Sequence, residues 1–217
     1  DALELLEYRG YDSAGMAIVD ETNGQVQIRK RAGRVADLEK VWKANPVNGI
    51  CGIGHTRWAT HGGVSDVNAH PHRAGRVTLV HNGIIENYEE LKDHFGLADE
   101  LISDTDSEVV AAVLNRFYTG DPHEALFQTV KCLKGTFALV VIFDDIPDVI
   151  FAIRNVSPIV AAYREDGTML ASDVAALGGQ ATSYMVVPEY HVVELHTDDI
   201  RVYNMKNELC EAKFLDI

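Results

Sequence analysis

The chain has 217 residues, of which 47% are hydrophobic, and carries a formal net charge of −14 at pH 7. This length allows a buried core within one large domain or two small ones. The negative charge disfavours nucleic acid and anionic membranes as partners. No apolar run in the sequence approaches the roughly 20 residues that cross a bilayer.

The three cysteines, Cys51, Cys132 and Cys210, lie far apart in the sequence, and none belongs to a C-x-x-C pair. Their odd number and wide spacing indicate free thiols in a reducing, cytoplasmic compartment. A zinc site built from thiolates is therefore not expected.

The first part of the chain has short patterns of both helix and strand. A helical pattern starts at residue 2 and should end near Gly10. The pair Asn23-Gly24 predicts a hairpin turn between two strands. In the first 56 residues we expect strands at 14–20 and 26–31, a helix at 35–44, and a buried strand at 49–56.

The second part contains a block of helices followed by a block of strands. After a strand at 76–83, helices are predicted at 85–95, 106–118 and 121–134, the last with Asp121 as N-cap and Pro122 in the first turn. Six strands follow, at 136–144, 148–154, 158–164, 184–190, 191–196 and 199–204. Short turns favour antiparallel pairing, so the pattern predicts an α+β fold in which helix layers cover two sheets.

Residues 55–72 form a polar stretch rich in histidine, and five of the nine histidines, at 55, 61, 70, 72 and 81, fall in or near it. One reading is a metal site that uses His70 and His72, or His61 with one of them. The sequence lacks an H-E-x-x-H motif, and Pro71 biases His70 away from a helix. The other readings are a hydrogen-bonded loop and a clamp for a small charged molecule.

The clamp reading rests on residues of complementary chemistry. Arg57 follows a buried strand and could bind a carboxylate with two parallel hydrogen bonds. Asp106 could hold an ammonium group, although it could also simply cap a helix. Asn82 and Gly83, at an expected strand end, could offer two donors to a developing oxyanion, although Asn-Gly is also a common turn. Together they describe a site that cleaves the side-chain amide of a zwitterionic substrate, for which glutamine is the natural candidate.

Five sequence blocks carry a family likeness: EYRGYDSAG at 7–15, GHTRWATHG at 54–62, NAHPH at 68–72, VHNGIIEN at 80–87 and SDTDSEV at 103–109. In this order they resemble the glutaminase domain of the glucosamine-6-phosphate synthases, which are class II glutamine amidotransferases. Weaker agreement continues through 134–145 and 171–177. The resemblance covers nearly the whole chain.

The resemblance implies an N-terminal-nucleophile hydrolase fold, a four-layer αββα sandwich of mainly antiparallel sheets. It also implies the residues that bind the substrate. Arg57, supported by Thr60 and His61, would hold the carboxylate of L-glutamine. Asp106 would bind its α-ammonium group, and His70 would line or brace the pocket.

The catalytic roles are implied in the same way. Asn82 and Gly83 would form the oxyanion hole, and Arg9 would lie beside the nucleophile. Trp58 would lie on a mobile loop that closes over the substrate. The family's nucleophile is a cysteine at the mature amino terminus, whose α-amino group serves as the general base.

We therefore expect residues 1–217 to be a single glutaminase domain that lacks the leading strand with that cysteine and the downstream isomerase domains. Those domains of the full-length chain would be its partners and would receive ammonia for transfer to fructose 6-phosphate. Two alternatives are a glutamine-binding module without chemistry and the amidotransferase half of another pathway. No cofactor is expected, and a homodimer is compatible with the sequence.

Overall fold

The computed structural model describes residues 2–217, which form α-helices, short 3₁₀ helices and antiparallel strands. The helices are α1 (Ala2–Leu6), α2 (Val35–Ala44), α3 (Tyr88–His94), α4 (Asp106–Phe117) and α5 (Pro122–Cys132), with 3₁₀ helices at Glu7–Arg9 and Val174–Gln180. The first seven strands are β1 (Ser13–Val19), β2 (Val26–Ala32), β3 (Gly52–Arg57), β4 (His72–Ala74), β5 (Val77–Ile85), β6 (Gly135–Phe143) and β7 (Ile146–Asn155). The remaining strands are β8 (Val160–Arg164), β9 (Gly167–Ala171), β10 (Ser183–Val186), β11 (Val192–Leu195), β12 (Ile200–Tyr203), β13 (Leu209–Cys210) and β14 (Leu215–Asp216).

The strands form three sheets, and every pairing between neighbouring strands is antiparallel. The largest sheet has seven strands in the order β13-β12-β11-β7-β6-β5-β4. The smaller sheets have the orders β2-β1-β3 and β14-β10-β8-β9. Strands β3 and β9 are therefore the edges of two different sheets.

The seven-stranded sheet is buried on both faces, because apolar residues occupy both sides of its central strands. Leu79, Leu139 and Phe151 pack with α4 and α5 on one face. Val80 and Ile142 pack against β1 and β3 on the other face, and a further cluster on this face joins the sheet to β8 and β10. The small sheets are covered in turn by α2, α1 and the 3₁₀ helix at Val174–Gln180. These four layers confirm the predicted α+β sandwich.

Helices α4 and α5 begin where side chains satisfy their first free N–H groups. Thr105 accepts a hydrogen bond from the Glu108 N–H at 3.2 Å, and Asp121 accepts one from the Glu124 N–H at 3.1 Å. The predicted roles of Asp121 and Pro122 are therefore confirmed. The reading of Asp106 as a cap is wrong, because the cap is Thr105 and Asp106 is the first helical residue.

Several boundaries differ from the sequence-based expectations. The expected helix at 85–95 begins only at Tyr88, because Ile85 still pairs with Gly135 in the ladder between β5 and β6. Strands β4 and β9 and the 3₁₀ helix at Val174–Gln180 were not expected. The strand expected at 184–190 ends at Val186. Among residues 2–217, no helix combines the length and apolar character needed to cross a membrane.

A buried histidine joins α5 to β11 and to the turn after β12 of the large sheet. The Nε2 of His123 lies 2.7 Å from the Glu194 carboxylate on β11, and its Nδ1 lies 2.5 Å from Asn207 Oδ1. Burial alone would lower the pKa of His123, but the hydrogen bonds to Glu194 and Asn207 outweigh it and raise the pKa. Burial would raise the pKa of Glu194, but its hydrogen bonds to His123 and His196 lower it.

These opposite shifts predict a pH-dependent contribution to folding stability. The raised pKa of His123 stabilises the fold below its ordinary value of 6.5, and this contribution is lost as the pH rises through the folded-state pKa. The lowered pKa of Glu194 stabilises above 4.5 and is lost at lower pH. The substitution His123→Leu should therefore cost roughly 1.5–3 kcal/mol near pH 6 and less at pH 9, measured by urea unfolding. The control His94→Leu, at an exposed position of α3, should show no such difference; an equal cost of His123→Leu at both pH values would contradict the assignment.

Candidate functional site

One cavity of about 660 Å³ lies between the large sheet and the two small sheets. Its polar end lies where β3, β5 and the start of α4 meet. Its apolar part runs between the edge strands β3 and β9, beneath α1. Every candidate residue from the sequence lines this cavity: Arg9, Arg57, Trp58, Thr60, His61, His70, Asn82, Gly83 and Asp106.

Arg57, the last residue of β3, is 4% exposed and is the buried cation at this end of the cavity. Its guanidinium donates hydrogen bonds to the carbonyls of His61 at 2.5 Å, Gly62 at 3.3 Å and Gly63 at 3.1 Å. Burial lowers the pKa of Arg57, and the nearby carboxylates of Asp12 and Asp106 oppose that shift. The arginine therefore holds the loop at 61–63 in place, and at least two of its five N–H groups are not used in these three bonds.

Asp106 is the buried anion of the site, with 3% exposure at the first position of α4. Its Oδ2 accepts a hydrogen bond from the Ile85 N–H at 2.8 Å, and its Oδ1 accepts one from Ser107 Oγ at 3.4 Å. The helix N-terminus also favours a negative charge at this position. The Nδ1 of His61 lies 4.0 Å from Oδ1. A carboxylate can accept about four hydrogen bonds, so Asp106 keeps capacity for a cationic ligand.

Asn82 and Gly83 lie inside β5, where they pair with Ala138 and Phe137 of β6. The expectation that they end the strand is therefore wrong, and the ladder continues to Ile85. Gly83 has a φ of +127°, and a Cβ there would lie 2.2 Å from the carbonyl oxygen of Thr136. Only glycine fits this backbone.

Two stacked histidines lie beside Asn82. The ring of His55 stacks on His70 with centroids 4.0 Å apart and an interplanar angle of 15°. The Nδ1 of His70 accepts a hydrogen bond from the His81 backbone N–H at 3.3 Å. Burial lowers the pKa of His55 to about 4 and that of His70 well below its ordinary value. Both rings are therefore neutral at pH 7.

Two further buried histidines connect the large sheet to the start of α4. His72 Nε2 lies 3.1 Å from the Thr105 hydroxyl, and His81 Nδ1 lies 2.9 Å from the Ser107 hydroxyl. Burial lowers the pKa of His72 to about 2 and also lowers that of His81. These bonds fix the residues on both sides of Asp106. Within residues 2–217, no group of three or more histidine, cysteine, aspartate or glutamate side chains is arranged to hold a metal ion.

The remaining candidate residues form the outer part of the cavity. Trp58 is 61% exposed and meets the ring of Tyr11 edge to face, with centroids 5.3 Å apart. Thr60 is also exposed. Arg9 donates a hydrogen bond to the Ser172 hydroxyl at 2.6 Å. This bond joins the end of the first 3₁₀ helix to the segment that follows β9.

Lys30, which no motif in the sequence singles out, anchors the segment that carries His70. Its ammonium group donates hydrogen bonds to the carbonyls of Val67 at 3.1 Å, Ala69 at 2.8 Å and Pro71 at 3.1 Å. Burial lowers the pKa of Lys30 to about 8. No local signal distinguishes this lysine from Arg29 and Arg31 of the same strand, because its partners are 37 to 41 residues away in the sequence.

The chain is similar to known proteins both in sequence and in fold. Residues 14–217 match the glutamine amidotransferase domain family. Two similar proteins are the glutamine–fructose-6-phosphate aminotransferases (isomerizing) of Bacillus subtilis, 42% identical over 95% of this chain, and of Clostridium acetobutylicum, 38% identical over 98%. The chain spans 35% of the length of each. The fold is similar to that of glutamine phosphoribosylpyrophosphate amidotransferase from B. subtilis, with a TM-score of 0.78 and 20% identity, over 96% of this chain and 46% of that one.

The anchor at Lys30 leads to a stability prediction. The substitution Lys30→Met keeps the length of the side chain but removes three hydrogen bonds from a charged donor. We expect it to lower the free energy of unfolding by roughly 1.5–3 kcal/mol in urea titrations. The control Lys40→Met removes a surface ion pair with Asp37 and should change it by less than about 1 kcal/mol. Equal effects of the two substitutions would show that Lys30 is not an anchor.

Proposed function

The chain belongs to the class II glutamine amidotransferases, and from this membership we propose that it is the glutaminase part of a glucosamine-6-phosphate synthase. In this role it hydrolyses L-glutamine to glutamate and ammonia. The ammonia then passes to sugar-phosphate isomerase domains of the full-length protein, which use it to aminate fructose 6-phosphate. The names of the relatives support this pathway, and this chain spans 35% of their length, which leaves room for acceptor domains in the full-length protein.

The observation that carries the proposal is the pair of opposite buried charges, Arg57 and Asp106, in one cavity. A free amino acid carries a carboxylate and an ammonium group on the same carbon, so it needs both charges. In our proposal Asp106 binds the α-ammonium group. Arg57 binds the carboxylate, directly through its remaining N–H groups and indirectly by fixing the loop that carries Thr60 and His61.

In the same proposal, the side-chain amide of bound glutamine lies near Asn82 and Gly83. When a nucleophile attacks the amide carbon, negative charge develops on its oxygen, and donors held in advance stabilise that charge. The Asn82 carboxamide and the Gly83 N–H serve as these donors. His70 braces the pocket, Trp58 covers the substrate, and Arg9 lies beside the attacking group.

In our proposal the nucleophile lies beside the apolar part of the cavity. The edges of β3 and β9 both border it, and its walls include Leu3, Val140 and Ile150. We propose that one additional strand of the full-length protein pairs with these edges and joins the two small sheets. This strand carries the cysteine that the family resemblance implies.

The reaction then proceeds in two steps. The thiol gives its proton to the free α-amino group of the same cysteine, and the sulfur attacks the amide carbon. The tetrahedral intermediate collapses with transfer of that proton to the departing nitrogen, which leaves as ammonia. Water then cleaves the thioester, which releases glutamate and regenerates the thiol.

The proposed roles predict different kinetic effects for two substitutions in the full-length protein. Asn82→Ala should lower kcat for glutamine hydrolysis by roughly a hundredfold or more, because it removes an oxyanion donor. Arg57→Ala should mainly weaken glutamine binding, by about 1.5–3 kcal/mol, because it removes a charge-assisted contact. Glutamate release measures the first effect, and calorimetric titration with L-glutamate, which has the same α-carboxylate and is not hydrolysed, measures the second. The control Asn48→Ala, an exposed position outside the cavity, should leave both unchanged.

A different experimental result would contradict each part of the proposal. Glutamine binding without hydrolysis by the full-length protein would indicate a binding module rather than an enzyme. Hydrolysis without transfer to fructose 6-phosphate would indicate the amidotransferase part of another pathway. If Arg57→Ala bound the amino acid with unchanged affinity, Arg57 would not be the residue that binds its carboxylate.

A further inference from the structure

The contact between His55 and Asn82 has a consequence for the orientation of the Asn82 carboxamide. His55 lies on β3 and Asn82 on β5, so the two residues come from different sheets. The ring Nε2 of His55 lies 2.7 Å from the Asn82 side-chain oxygen. His55 Nδ1 is buried and has no hydrogen-bond partner within the described residues.

The ring nitrogens of a neutral histidine differ, because one donates and the other accepts. The pKa of His55 is lowered by burial to about 4, so its ring carries a single N–H at pH 7. When that proton is on Nε2, it donates to the Asn82 oxygen. The Asn82 NH₂ group is then the free end of the carboxamide, and Asn82 lines the cavity.

The opposite arrangement would turn the carboxamide around. If the proton were on His55 Nδ1, then Nε2 would accept from the Asn82 NH₂ group, and the Asn82 oxygen would be the free end. A buried N–H on Nδ1 would then have no acceptor, which is more costly than an unused acceptor. An oxygen facing the cavity would also repel a developing oxyanion instead of stabilising it.

The stack with His70 limits the movement of the His55 ring. The two rings are nearly parallel with centroids 4.0 Å apart. The ring of His70 is held in turn by the backbone N–H of His81, the residue immediately before Asn82 in β5. His55 is therefore braced against the strand that carries its partner.

We propose that His55 is a positioning residue that, as the neutral Nε2–H tautomer, holds the Asn82 carboxamide with its NH₂ group directed into the cavity. This inference rests on the proposed function, because it assigns a purpose to the orientation of an oxyanion donor. In this proposal His55 acts through the Asn82 carboxamide and not on the substrate itself.

Two amide substitutions separate this role from simple packing. In His55→Gln, the side-chain nitrogen lies about as far from Cα as the histidine Nε2, so it can still donate to Asn82. In His55→Asn, the amide is one methylene shorter, and its nitrogen takes the place of Nδ1. We expect His55→Gln to retain most of the glutaminase turnover of the full-length protein. We expect His55→Asn to lower kcat by roughly tenfold or more, since loss of an oxyanion donor costs about 10²–10³, with little change in KM.

A double substitution tests whether His55 acts through Asn82. In the Asn82→Ala background, His55→Asn should cause no further loss of kcat. A further tenfold loss would overturn the inference, as would equal losses in His55→Gln and His55→Asn. A raised KM with unchanged kcat in His55→Asn would also overturn it, because the residue would then act on substrate binding.

A spectroscopic measurement tests the tautomer without any turnover. The ¹⁵N chemical shifts of the His55 ring, assigned by comparison with His55→Gln, should show a protonated Nε2 and an unprotonated Nδ1 at pH 7. A protonated Nδ1 would overturn the inference even if the protein is an active glutaminase. A protonated Nε2 in a protein that does not hydrolyse glutamine would contradict the proposed function while leaving the His55–Asn82 contact intact.

Discussion

The burial of both faces of the seven-stranded sheet is the constraint on which the rest of the structure depends. Along β5, Leu79 faces the helices and Val80 faces the small sheets. A polar side chain between these layers has little contact with bulk water, so hydrogen bonds inside the protein stabilise it. The polar residues near the end of β5 find these partners on other elements: His81 on α4, and Asn82 on β3. The sheet therefore positions the site as well as the core.

The electrostatics of the site follow from the same burial. Arg57 and Asp106 are both almost completely enclosed, and each is stabilised by backbone groups as well as by charge. The four surrounding histidines have lowered pKa values, so they add hydrogen-bonding groups without adding charge. The charges of Arg57 and Asp106 therefore remain, together with that of Asp12, whose Oδ1 lies 3.8 Å from Arg57 Nη1. We propose that a zwitterionic amino acid complements the pair Arg57 and Asp106.

Local patterns in the sequence were sufficient to predict the class of fold and helices α4 and α5. Residue chemistry pointed to Arg57, Asn82, Gly83 and Asp106, and the family resemblance added Arg9, Trp58, Thr60, His61 and His70; all of these line the cavity. Caps and apolar periodicity are properties of a few neighbouring residues, so they can be read directly. The positive φ of Gly83, the use of Arg57 donors by the loop at 61–63, and the anchor at Lys30 depend on contacts between distant segments. For the same reason strand β9 was missed, because its pairing with β8 rather than its composition makes it a strand.

We propose that the opposite charges of Arg57 and Asp106 bind the two ends of one amino acid. A crystal structure of the full-length protein with bound L-glutamate, the product of the proposed hydrolysis, is the decisive test. We expect the α-ammonium group about 3 Å from the Asp106 carboxylate, the α-carboxylate on the side of Arg57, and the side chain directed towards Asn82. Glutamate bound in the reverse orientation, or in a different cavity with Arg57 and Asp106 unaltered, would contradict the claim.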